Sequence, residues 1–233
     1  MKREFFFLLI IIVCLPGCNN RYSCWLQDVF YQGEKIDMPT QTVRQYLRSE
    51  HVYEQFSPLA HFNIIWLSNE VRAAYVQIYA QKHCLTQQKY QNLLQNELTL
   101  NQQCISFYIL AAITTRFAEE SLISKNPEWS ISLFVNDHYY KPVEIAKLEN
   151  LPPEYVIFYG KAFTRFKTPY LVKFNMKDPD GVSLINQNTK SLMLLFSTYD
   201  RKICLTWCLD RNGSVIYQRF PDPDILAYDY HCF

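Results

Sequence analysis

Trp129-Ser130-Ile131-Ser132-Leu133-Phe134-Val135 decides the fold class. Large apolar residues fall at every second position with serines between them, the period of a strand that buries one face. Asn136-Asp137-His138 follows as a turn, and Tyr139 to Leu148 reads as the returning strand. Pro142 lies inside that return and cannot donate to a ladder, which places it at a sheet edge. The same period recurs downstream. Thr168–Met176, Ser191–Tyr199, Lys202–Leu209 and Ser214–Phe220 read as strands. Asp178-Pro179-Asp180-Gly181 and Asp210-Arg211-Asn212-Gly213 supply turn chemistry between them. Pro152-Pro153-Glu154 opens a short element that Gly160 ends, read as a single helical turn.

Upstream the period is helical. Pro39 to Phe56 reads as a first helix, with Val43, Tyr46, Leu47 and Phe56 near one face and Ser57-Pro58 ending it. Ser68 can cap a second helix to Lys82, in which Val71, Ala74, Tyr75 and Ile78 recur at helical spacing. Thr86 can cap a third, with Tyr90, Leu93, Leu94 and Leu98 as its apolar stripe. Ile105 to Ile113 is apolar throughout and fits either a strand or a buried helix. Helices first and strands later predict an α+β protein: about three N-terminal helices, then a mainly antiparallel sheet or sandwich-like part. The expected division is 1–17, 18–38 as a lead-in, 39–104 helical and 105–233 β-rich, the last two compatible with one domain.

The first 17 residues are read separately. Lys2 and Arg3 precede an apolar run from Phe5 to Leu15, and Asn19, Asn20 and Arg21 follow closely. The run falls short of the roughly 20 apolar residues that span a bilayer and has the length of a signal-peptide core. An ordinary signal needs small residues three and one before the cut. Leu15 is too large for that role, but Leu15-Pro16-Gly17-Cys18 resembles the signal of bacterial lipoproteins. Pro16 departs from the small residues usual there. The resemblance covers about the first 20 residues. It implies a diacylglyceryl group on Cys18, which becomes the new N-terminus, and a protein held to a membrane of the cell envelope. Asn19 in place of Asp then favours the outer membrane in a Gram-negative cell.

Charge and cysteine content narrow the partners and the compartment. The whole chain carries +1, from 23 Lys and Arg against 22 Asp and Glu. Loss of Lys2, Arg3 and Glu4 with the signal leaves the two signs in balance. A nucleic-acid binder carries a strong basic excess, so no nucleic-acid partner is expected. Of the 8 cysteines, Cys14 leaves with the signal and Cys18 takes lipid. Cys24, Cys84, Cys104, Cys204, Cys208 and Cys232 remain, an even set that suggests disulfides in an exported protein. Cys204 and Cys208 would lie about 13 Å apart on one strand face, too far to pair. Cys84 and Cys104 flank a helix roughly 25–30 Å long. Removing those two pairs leaves roughly 10 of about 15 connectivities. His83, His231, Cys84, Cys204, Cys208 and Cys232 are zinc-ligand types without the short spacings of zinc motifs, so no metal is expected, and no cofactor.

No catalytic signature emerges. G-x-S-x-G, H-E-x-x-H and every Gly-rich phosphate loop are missing from a chain with 5 glycines. Cys24 with His51, His61 or His138 would be a thiol–imidazole pair without a local signature. Asp222, Asp224, Asp229 and His231 gather carboxylates beside an imidazole in the tail, and read as solvated turn residues. Lys161, Phe163, Arg165 and Lys167 would line one face of a strand, in a segment that holds five cations when extended to Lys173 and Lys177. Such a face suits an anionic headgroup or acidic partner. The expectation is a lipid-anchored, non-enzymatic binding or scaffold module whose partner is an anionic envelope component or a protein. The alternative is an anchored hydrolase of cell-wall or surface polymer, resting on the acidic tail.

Overall fold

The computed structural model describes residues 38–114, 122–123 and 127–216. In chain order the elements are α1 (Met38–Arg44), β1 (Leu47–Glu54), β2 (Ser57–Trp66), α2 (Asn69–Lys82), α3 (Gln87–Gln103), β3 (Cys104–Ile113), β4 (Ser130–Val135), β5 (His138–Tyr140), β6 (Glu144–Lys147), α4 (Pro153–Tyr159), a 3₁₀ turn (Gly160–Ala162), β7 (Thr168–Asn175), β8 (Ser191–Ser197) and β9 (Lys202–Cys208). The strands make two antiparallel sheets, a five-stranded one ordered β1-β2-β3-β7-β6 and a four-stranded one ordered β5-β4-β8-β9. The fold class is α+β.

Trp129 and the alternating residues of β4 behave as their spacing demands. Trp129, Ile131, Leu133 and Val135 are buried, and β8 and β9 alternate in the same way. Their inward faces meet the five-stranded sheet. Phe62 of β2 stacks on Phe196 of β8 at 4.5 Å and meets Trp129 edge-on at 5.3 Å. Trp207 of β9 packs against Phe107 of β3 at 5.5 Å and Trp66 of β2 at 6.4 Å. The free edges are also joined: Arg48 of β1 donates from Nε to Thr206 O at 2.9 Å and lies over the Trp207 ring.

The outer face of the five-stranded sheet carries α4. Tyr159 donates its hydroxyl to Tyr108 O at 2.8 Å, and Tyr155 meets the Tyr108 ring at 4.8 Å. Tyr75 of α2 stacks on Tyr155 at 4.6 Å. α2 and α3 are tied by buried Arg72, which bonds Asn101 at 2.6 Å and Glu97 at 2.5 Å. Ser68 caps α2 by accepting from the Val71 amide, the role its position suggested.

Several expectations are corrected. The helices are not grouped ahead of the strands: after the short α1, β1 and β2 precede both long helices, and they share a sheet with β3. The helix expected over Pro39–Phe56 stops at Arg44, and Leu47–Glu54 is β1. The reason is long-range. The last residues of β2 are buried, so their amides and carbonyls need partners on both sides, and β1 closes the side that β3 leaves open. Ile105–Ile113 is strand, a choice its periodicity left open. The single return over Tyr139–Leu148 is split around Pro142: β5 pairs with β4, whereas β6 crosses to pair with β7 in the other sheet. Both are edge strands, and Pro142 itself lies in the connection between them. Of Ser214–Phe220, only Val215 forms a described bridge, to Leu209; 217–220 lie outside the described residues. Lys161, Phe163, Arg165 and Lys167 do not share a strand: Lys161 sits in the 3₁₀ turn, and 163–167 form a non-strand connection before β7. The fold needs a return from helix α4 to the start of β7 there, and local alternation does not override that connection.

Candidate binding site

Register places three connections at one end of the sandwich. β1 and β2 turn at Gln55-Phe56, and Gln55 has φ +54. β2 and β3 pair Ala60 with Ile113, and β3 and β7 pair Ala111 with Thr168, so the 163–167 connection enters at this same end. The β8–β9 turn joins it through Arg201, whose Nη1 donates to Tyr53 O at 2.7 Å. Arg201 also approaches Glu54 at 3.6 Å and Asp200 at 3.3 Å.

Each of these connections presents an aromatic ring to solvent. Phe56 is 100% exposed, Phe166 93% and Tyr199 107%, and Tyr53 beside them is 55% exposed. Scattered exposed apolar residues are ordinary, but rings gathered on adjoining loops are a mark of interaction surfaces. Cations accompany them. Lys161 and Arg165 are exposed, whereas Lys167 turns inward.

Lys167 leads to a polar cluster on the outer face of β1 and β2. Its Nζ donates to Asn63 Oδ1 at 2.6 Å and to Ala162 O at 2.7 Å. Asn63 in turn donates to Ser49 Oγ at 2.6 Å. Both acceptors of Lys167 are neutral, and among the described residues no carboxylate pairs with it. Next to Asn63 in the ladder, His51 and His61 are direct cross-strand partners. Their rings stack with centroids 3.5 Å apart, and Tyr53 stacks on His51 at 6.3 Å. The His61 Nε2 atom is buried and meets no hydrogen-bond partner among the described residues. Burial, then the neighbouring His51 and Lys167, pull the His61 imidazole down to about 4. Burial and Lys167 lower His51 as well, and burial lowers Lys167.

The remaining residues singled out from sequence disperse. Cys18, Cys24 and Cys232 lie outside the described residues, as do Asp222, Asp224, Asp229 and His231. Cys84 and Cys104 are free thiols at opposite ends of α3, and Cys104 Sγ lies 3.3 Å from Ser106 Oγ. Cys204 and Cys208 are half-buried and share one face of β9, as alternation required. No disulfide joins two of the described cysteines. Phe163 is half-buried against the core rather than presented to solvent. The histidine pair was within reach of the sequence only as two separate residues, because no local spacing reveals a ladder register. Comparison with protein-family models, with curated proteins and with solved structures finds no match to this chain.

Proposed function

We propose that this protein is a lipid-anchored, non-enzymatic binding module of a bacterial cell envelope. Cys18 holds it to the membrane, and the aromatic end of the sandwich engages an anionic envelope component. The observation that carries this reading is the gathering of Phe56, Phe166 and Tyr199, each at least nine-tenths exposed, on three connections at one end. Burying such a ring contributes about 1.5–3 kcal/mol. The free protein forgoes that three times over, which a partner covering the end would recover in part after the cost of association. Loops carried on a rigid sheet scaffold are the usual position for such contacts.

Photo-crosslinkers at Phe56, Phe166 and Tyr199 in cells, followed by mass spectrometry, test the reading. One partner class recovered from all three positions, and lost from a Phe56→Ser/Phe166→Ser/Tyr199→Ser variant that keeps wild-type unfolding behaviour, is the expected result. An unchanged crosslinking profile in that variant would remove this end as the binding surface, and a mature mass without lipid would remove the anchor.

A further inference from the structure

We propose that His51, His61 and Lys167 form a binding site for a phosphate group. The proposal rests on the reading of this end as a binding surface and names the chemistry it recognises. Three features point to an anion rather than to a structural cluster. The Lys167 ammonium is held in place by two neutral oxygens and no carboxylate among the described residues, so its positive charge stands uncompensated beside the sheet. His61 buries a ring nitrogen with no described partner, an arrangement that is costly unless a ligand supplies one. His51 stacks on His61 across the ladder at 3.5 Å, and Lys167 reaches Asn63 two residues along the same strand, so both imidazoles and the ammonium lie within one small patch.

The groups facing the pair are few. β1 contributes Tyr53 and Ser49, β2 contributes Asn63, and the connection before β7 contributes Lys167. Ala112 of β3 is the ladder partner of His61 on its other side. No carboxylate among these offers the imidazoles a counter-charge. A bound anion would supply it, and each ring would then take up a proton and donate from both nitrogens. Phosphate suits the set better than carboxylate, because its oxygens can accept from three separate donors and its second negative charge offsets more of the positive charge of the ammonium and the two imidazoliums. A transition metal would meet two neutral imidazoles but also the ammonium, which repels it. Phe166 adjoins Lys167 in sequence and is fully exposed, so a phosphate carried on an acyl glycerol could contact both.

The test is a titration of the full chain in uncharged detergent micelles, following histidine ring Cε1–H resonances by NMR. The signals of His51 and His61 are assigned with His51→Gln and His61→Gln. One arm uses inorganic phosphate, a second uses a short-chain phosphatidylglycerol, and a third uses zinc. Binding of either phosphate compound is expected to move both rings toward the protonated shift at pH 6–7, with affinity falling as pH rises. Lys167→Ala is expected to weaken binding about tenfold or more, the loss of a charge-assisted contact. His51→Gln, at an exposed ring, gives a second variant should Lys167→Ala unfold. Tighter binding of the lipid identifies a headgroup as the source, and equal binding identifies free phosphate. Unmoved histidine signals at 50 mM phosphate, or movement with zinc alone, would overturn the site. Failure of the phosphate arms alongside a partner still lost in the three-ring variant would sink the anion site and leave the binding end standing.

Discussion

Trp207→Ala tests the packing that brings the two sheets, and therefore the three aromatic loops, to one place. Trp207 is fully buried between Trp66 and Phe107, with the Arg48 guanidinium over its ring. Truncating a buried Trp to Ala costs about 3–5 kcal/mol. Its indole N–H also donates to Tyr46 O at 2.9 Å, but that carbonyl additionally accepts the Trp66 amide at 3.3 Å. Losing the indole donor therefore does not strand the acceptor, and Trp207→Phe should cost only about 1–2 kcal/mol, near the lower part of the penalty for a broken buried bond. The Ala variant also leaves Arg48 over an empty site, which places its cost toward the upper end of the range. Urea unfolding followed by tryptophan fluorescence gives both values, under reducing conditions so that cysteine chemistry stays constant. A loss below about 1 kcal/mol for Trp207→Ala, or a Phe variant less stable than the Ala variant, would refute the sheet-to-sheet packing described.

Three further outcomes follow from the same geometry. His61 titrates near 4 in the fold against its ordinary 6.5, and His51 is lowered too. Between those two pH values the unfolded chain binds more protons, so stability falls as pH drops from 6.5 toward 4; urea midpoints across that window should show a smaller slope in a His51→Gln/His61→Gln variant. Arg72→Met removes the buried partner of Glu97 and Asn101 and should cost about 3 kcal/mol, the low end for breaking a buried pair because Glu97 keeps some solvent. A thermal shift within error of wild type would count against that network. Gly181 and Gly213 both have positive φ, +82 and +77, but an added Cβ meets nothing at Gly181 and Ile185 Cγ2 at 3.3 Å at Gly213. Gly181→Ala should cost about 1 kcal/mol from backbone conformation alone, with Gly213→Ala costing more; chemical denaturation of the two side by side checks the order.

Local sequence carried much of the fold and little of the site. The alternation of Ile131, Leu133 and Val135, the Ser68 cap and the Asp210–Gly213 turn are interactions within a few residues, and each is legible because its chemistry is local. Gly213 takes positive φ in a turn closed by its amide on Asp210 O at 3.0 Å, as the D-x-x-G pattern suggests. The segment Leu47–Glu54 was not legible. Its own pattern is weak, and it becomes a strand because β2 lacks a partner on that side. The switch of β6 into the other sheet is equally invisible locally, since Pro142 indicates an edge without saying which edge.

By itself, the sequence determined the strand period, the Ser68 cap and the charge balance. Only the tertiary structure decided that His51 and His61 stack across a ladder, that Lys167 reaches Asn63 from 104 residues away, and that Phe56, Phe166 and Tyr199 share one end. The physical reason is register. Strand pairing is set by the burial of whole faces, and it carries side chains from distant segments together wherever those faces align.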